Sequence, residues 1–114
     1  MSSVTIERLA SLIQRELAPI VNTEVKDKSF GYINLTEVKV TKDLSFATIY
    51  YTILSDDPKV IEHAKEAIED KKVVIRMELA KKIKNIRKIP DLIFKFDEAL
   101  AYGNHIDRLL KTIK

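Results

Sequence analysis

The sequence contains no cysteine and no tryptophan, and only two glycines and three prolines in 114 residues. Without cysteine, the chain has no disulfides, no thiolate nucleophile and no cysteine-ligated zinc site. So few glycines and prolines leave little room for flexible linkers, and a hydrophobic content of 46% is typical of a globular fold. We therefore expect one domain that spans residues 1–114.

Long apolar runs are also missing. No stretch approaches the roughly 18 to 20 apolar residues that cross a bilayer. The first residues, Met-Ser-Ser-Val-Thr, lack the basic segment and apolar run of a secretory signal. We expect a cytoplasmic protein without a membrane partner.

The residue patterns of common catalytic sites are absent as well. Gly31 and Gly103 are the only glycines, so there is no glycine-rich phosphate loop. His63 and His105 share no metal-ligand spacing, and no nucleophile has an identifiable base. We expect no enzymatic activity, no metal, no cofactor and no small-molecule substrate.

Positive charge is concentrated in one segment. The chain has a formal net charge of +3, but residues 71–88 carry +7 and the remainder carries −4. Neighbouring cations on a helix repel one another, so a segment nearly free of acids favours polyanion binding over a merely solvated face. Nucleic acid is preferred to a membrane, because the apolar stripe of this segment faces the predicted core. The predicted RNA-binding residues are Lys71, Lys72, Arg76, Lys81, Lys82, Lys84, Arg87 and Lys88, with Arg8 and Arg15 of the first helix as further candidates.

Apolar spacing predicts the first three elements. A helix has one apolar face from Ile6 to Ile20, Ser3 or Thr5 could cap it, and Pro19 should kink or end it. Two strands follow, at 33–40 and 45–54, as an antiparallel hairpin. In the first strand Ile33 and Leu35 have the opposite parity to Val38 and Val40, which predicts a bulge near Thr36 and Glu37.

The second half predicts further helices around a third strand. Asp57 and Pro58 begin a helix, residues 69–72 form a polar junction, and another helix continues to about Ile86. A strand at 92–96 and a final helix at 99–113 complete the chain. The fold class is α+β, with a three-stranded sheet covered by helices on one face. The order α-β-β-α-α-β-α is that of the type II KH domain, which binds single-stranded nucleic acid.

Several stretches together resemble the ribosome-binding factor A family, in the family's order and over nearly the whole chain. They are Glu7-Arg8, Gln14-Arg15-Glu16-Leu17, the hairpin segment 36–47, Ile75-Arg76-Met77-Glu78-Leu79, the segment 90–98 and Tyr102-Gly103-Asn104-His105-Ile106-Asp107. The resemblance implies a KH-like, non-catalytic domain that binds the immature 30S subunit and assists late maturation of 16S ribosomal RNA. It also implies a role in growth in the cold. We expect it to act as a monomer.

One position departs from the family pattern. Members usually have Ala-x-Gly between the two central helices, whereas this chain has Lys71-Lys72-Val73. Val73 is β-branched and lacks the backbone freedom of glycine. The junction is therefore expected either to be straighter or to kink at another residue.

Two other functions are compatible with the sequence. The chain could be a general KH-type binder of single-stranded nucleic acid with no link to the ribosome. It could also be an adaptor whose basic face docks an acidic protein.

Overall fold

Two helices and three strands make up the part of the chain that the computed structural model describes, residues 3–83 and 89–97. The elements are α1 (Ser3–Glu24), β1 (Asn34–Val40), β2 (Phe46–Thr52), α2 (Pro58–Lys82) and β3 (Asp91–Phe96).

The strands form one sheet in the order β1-β2-β3. β1 and β2 are antiparallel, as the predicted hairpin requires, and their register shifts between Leu35 and Glu37. The predicted bulge is therefore confirmed, and it allows both Leu35 and Val38 to be buried. β2 and β3 are parallel, so the chain must cross over between them, and α2 is that crossover.

The core lies between the two helices and one face of the sheet. β2 buries Ala47, Ile49 and Tyr51, while the intervening residues of β2 are exposed or half-buried. α1 packs on β1 and on α2, and α2 also packs on β3. Within the described residues, the helices therefore cover one face of the sheet, as predicted.

The sequence predicted that α1 would kink or end at Pro19, and the prediction that it ends there is wrong. The helix continues through Pro19 to Glu24. Ile20 and Val21 are buried just beyond the proline, so continuing the helix adds apolar burial. The carbonyl that loses its helical partner is that of Arg15, an exposed residue.

The prediction of two central helices separated at 69–72 is wrong. α2 is one helix of 25 residues that passes through Lys71, Lys72 and Val73. Where the family has Ala-x-Gly, the helix of this chain is unbroken. Polar residues occur at 69–72 because these positions face away from the core, and the helix does not end there.

The predicted start of α2 is confirmed. The Asp57 carboxylate accepts a hydrogen bond from the backbone N–H of Lys59 at 2.9 Å, and Pro58 occupies the first turn. The helix ends at Lys82, and the N–H of the following residue, Ile83, donates to the carbonyl of Leu79.

The connection between α1 and β1 is held by side chains. Asn22 donates to the carbonyl of Ile33 at 2.8 Å and accepts from its N–H at 2.8 Å. Hydrogen bonds from Ser29 and then from His63 lower the pKa of Asp27 to about 2. His63 Nε2 lies 2.6 Å from the Asp27 carboxylate, and the His63 ring packs against buried Phe30. These contacts attach the connection to the first turns of α2.

The described residues confirm the α+β class and the three-stranded sheet. Their order is α-β-β-α-β, with one central helix where the type II KH order has two. The final helix predicted at 99–113 lies outside the described residues.

A substitution at Val73 tests the continuity of α2. Val73 is 71% exposed, so its side chain contributes little packing. In a helix interior glycine is about 1 kcal/mol less favourable than alanine. We therefore expect Val73→Gly to be about 1 kcal/mol less stable than Val73→Ala in urea unfolding. Equal stability of the two variants would place a bend, not a helix, at this residue.

Candidate nucleic-acid interface

A groove runs between one flank of α2 and the strand β3, and we call it the α2–β3 groove. It consists of two adjoining hollows that share Lys72 and Ile93. One hollow extends along α2 to Lys65, and the other extends to Arg76 and Met77. Because α2 and β3 lie side by side, their side chains form the two walls.

Basic side chains outnumber acidic ones in this groove. Its acids are Glu69 and Asp91. α2 contributes three of the basic residues, Lys65, Lys72 and Arg76. At about 100° per residue, these three fall within roughly 40° of one another around the helix axis. They therefore share the flank that faces β3, where a fourth cation comes from β3 itself. The four basic residues are Lys65, Lys72, Arg76 and Lys95.

Apolar and aromatic groups lie among these charges. Phe94 and Phe96 pack edge-on against the buried ring of Tyr51, at centroid distances of 6.4 and 5.8 Å. The Lys65 ammonium lies 5.9 Å from the centroid of the Phe96 ring. These contacts hold an aromatic surface next to positive charge, which is a combination suited to nucleotides.

The other hollow of the groove exposes more apolar surface. Phe46 is 45% exposed, Val73 71% and Met77 57%. Large side chains left in solvent next to one another mark interaction surfaces more often than isolated ones do. The groove therefore offers cations for phosphates and apolar surface for unpaired bases.

The structure does not gather all of the predicted RNA-binding residues. Lys72 and Arg76 line the groove, but Lys82 lies in a hollow formed with α1. Lys71 and Lys81 are exposed elsewhere on α2, and Lys81 lies about 180° around the helix from Lys72. The described cations of the 71–88 segment therefore point in several directions.

The remaining predicted residues lie away from the groove or outside the described residues. Arg8 and Arg15 are exposed and line a shallow hollow on α1. Lys84, Arg87 and Lys88 lie outside the described residues. Contact of each of these residues with RNA stays a prediction.

Several of these cations have acidic neighbours. Lys72 Nζ is 3.7 Å from Glu69, and Lys81 Nζ is 3.1 Å from Glu78. Exposed pairs of this kind contribute at most about 1 kcal/mol, so a phosphate can compete for the lysine. Arg76 differs, because its guanidinium bonds to backbone carbonyls as well as to a carboxylate.

Sequence reasoning missed Lys65 and Lys95, since both lie outside the basic segment. Lys95 alternates with the aromatic residues of β3, which indicates its side of the strand but not its neighbours. Lys65 lies seven residues before Lys72, a spacing that returns to the same flank of a helix. That spacing would have identified Lys65 only if residues 58–82 had been taken as one helix.

Metal-binding and membrane-spanning features do not occur in the described part of the chain. Residues 3–83 and 89–97 contain no cluster of three or more histidines and carboxylates arranged to hold a metal ion. Neither described helix is long and apolar enough to cross a membrane.

Solved structures share this fold. The crystal structure of ribosome-binding factor A from Thermus thermophilus aligns with a TM-score of 0.67 at 21% identity, over 79% of this chain and 93% of that one. Coordinates of the Thermus thermophilus factor fitted into the cryo-EM map of a complex with the 30S subunit align with a TM-score of 0.68, over 78% and 91%. At this identity the likeness shows the fold alone.

Sequence comparison identifies the family. The factor named ribosome-binding factor A from Phytoplasma mali is 56% identical over 110 residues, covering 96% of both chains. The Staphylococcus carnosus factor of the same name is 35% identical over 113 residues, covering 99% of this chain and 96% of that one. The family model for ribosome-binding factor A matches residues 5–110. The chain is therefore a member of the ribosome-binding factor A family.

Proposed function

We propose that this protein binds the immature 30S ribosomal subunit and assists late maturation of 16S ribosomal RNA. It acts by binding RNA, without catalysis and without a cofactor. The observation that carries the proposal is the α2–β3 groove, where four cations border an apolar and aromatic surface. The fitted complex of the Thermus thermophilus factor with the 30S subunit supports the choice of partner.

RNA suits this groove better than a purely electrostatic partner does. Phosphate contacts with lysine supply affinity and position, whereas unpaired bases stack on aromatic and apolar surface. A partner that offered negative charge alone would leave Phe46 and Met77 without a matching surface. Single-stranded or distorted segments of rRNA are therefore the proposed ligand.

The shifted acidic groups among the described residues are not tuned for acid–base catalysis. Hydrogen bonds from Thr41 and Ser45 lower the pKa of Asp43, and burial raises the pKa of Tyr51 to about 12. Both shifts, like that of Asp27, move the pKa further from neutral. General acid–base catalysis instead requires a pKa near the working pH.

The proposal also covers the location, the oligomeric state and the type of fold. A factor that acts on ribosomal precursors works in the cytoplasm, and it is proposed to act as a monomer. We also propose that the fold is a KH variant in which one continuous helix replaces the two central helices.

Removing charge from the groove should weaken binding. The triple variant Lys65→Gln, Lys72→Gln, Lys95→Gln removes three of the four groove cations. We expect at least a tenfold loss of affinity for immature 30S particles at about 0.1 M salt. If each lysine contacts one phosphate, the negative slope of log K against log salt should become shallower by about 2.

A matched control is available in the same chain. Lys26, Lys28 and Lys59 are exposed and lie outside the groove, so changing all three to Gln alters the net charge equally. This variant should lose less than threefold in affinity. Equal losses in the two triple variants would show that net charge, and not the groove, determines binding.

The same measurement separates the proposal from a general single-strand binder. The apolar surface at Phe46 and Met77 would suit any unpaired bases. A ribosomal factor should bind immature 30S particles much more tightly than an arbitrary oligonucleotide of similar length. Equal affinities for the two would favour the general binder.

The proposed biological role predicts a processing defect. Cells depleted of the protein should accumulate free 30S particles that contain 16S rRNA with unprocessed ends, and the defect should be stronger in the cold. Expression of the wild type or the control variant should restore processing, whereas the groove variant should not. Sucrose gradients and primer extension on the rRNA ends measure both effects, and normal processing in depleted cells would contradict the role.

A further inference from the structure

We infer that Arg76 is a positioning residue of the α2–β3 groove, which fixes the start of β3 against α2, and that it is not one of the phosphate ligands. The inference rests on the proposed function, because it assigns a role within the proposed interface. It also changes the sequence-based expectation, in which Arg76 was one of the cations that contact phosphate.

The guanidinium of Arg76 contacts three successive residues. Its Nη2 donates to the carbonyl of Ile89 at 2.6 Å, and its Nε donates to the carbonyl of Pro90 at 3.3 Å. Nη2 also lies 3.5 Å from the Asp91 carboxylate. Arg76 therefore bonds to the chain where it leads into β3.

This position determines the geometry of one end of the groove. Pro90 is fully buried, and the N–H of Asp91 donates to the carbonyl of Ser45 at 2.9 Å, so the start of β3 is fixed to β2. Arg76 adds polar contacts from the other wall, α2. The length and direction of the Arg76 side chain therefore help to set the separation of the two walls near Met77 and Phe46.

The same contacts make Arg76 a poor phosphate ligand. Two of its five N–H donors already bond to backbone carbonyls, and its charge already has a carboxylate neighbour. A phosphate would have to displace these bonds. Lys72, one helical turn earlier, has only Glu69 at 3.7 Å among its described ion pairs and can turn toward a phosphate.

Arginine at this position is not replaceable by lysine. The guanidinium is a rigid fork whose nitrogens point at two acceptors at once, whereas an ammonium is a single point of charge on a flexible stem. Arg76→Lys therefore keeps the charge and loses the two-carbonyl contact. The variant separates charge from geometry.

The test compares Arg76→Lys, Arg76→Met and Lys72→Met in binding to immature 30S particles over a range of salt concentrations. Circular dichroism first establishes a temperature at which all of the variants are folded. We expect Lys72→Met to make the negative slope of log K against log salt shallower by about 0.7, the value for one phosphate on a single strand. Both Arg76 variants should lose at least tenfold in affinity with the slope unchanged.

A second measurement reads the contact without any ligand. Amide hydrogen exchange in β3 should become faster in Arg76→Lys, at Leu92 and Ile93 first, and should not change in Lys72→Met. A purely structural loss of stability would accelerate exchange throughout the chain. Faster exchange confined to β3 therefore supports the positioning role.

Three results would overturn the inference. The first is wild-type affinity in Arg76→Lys. The second is a slope of log K against log salt that is shallower by about 0.7 in Arg76→Met. The third is unchanged amide exchange of β3 in Arg76→Lys. Failure of the proposed function looks different: the wild type itself would not bind 30S particles, while the exchange measurement would still report on the Arg76 contact.

Discussion

The burial of one apolar stripe of α2 is the constraint on which the other features depend. Ala64, Ile68, Ile75 and Leu79 are completely buried, and they recur at steps that keep them on one side of the helix. Because α2 is one unbroken helix, burying this stripe fixes the direction of every other side chain along it. Only cations on the flank beside β3 can enter the groove. The core, and not the local density of lysine, therefore selects which charges form the interface.

Features that depend on neighbouring residues were predictable from the sequence. The change of parity between Leu35 and Val38 indicated the bulge, since a strand with alternating faces cannot bury both without an extra residue. Asp57 and Pro58 indicated the start of α2, because a carboxylate cap and an initial proline satisfy the first turn of a helix. These signals act over a few residues and do not require knowledge of the fold.

Features that depend on distant residues were not predictable in the same way. The polar residues 69–72 suggested a junction, whereas the structure has one helix there. Ile68 and Ile75, on either side of this stretch, are both buried in the core, and a sequence does not show that they share it. The groove itself requires β3 to lie parallel to β2 and beside α2. That arrangement brings Lys95 near Lys65 and Lys72, which are more than 20 residues away in sequence. A basic segment is visible in a sequence, whereas a wall of a groove is a property of the fold.

The acids of the groove are informative about how RNA would be selected. Asp91 lies beside Arg76 and Glu69 beside Lys72, so the groove is only moderately positive. Since charge alone is modest, the proposed discrimination among RNAs rests on shape: the proposed ligand places phosphates along α2 and, at the same time, unpaired bases against Phe46 and Met77. A groove whose width is held by Arg76 meets that requirement better than a flexible basic patch does.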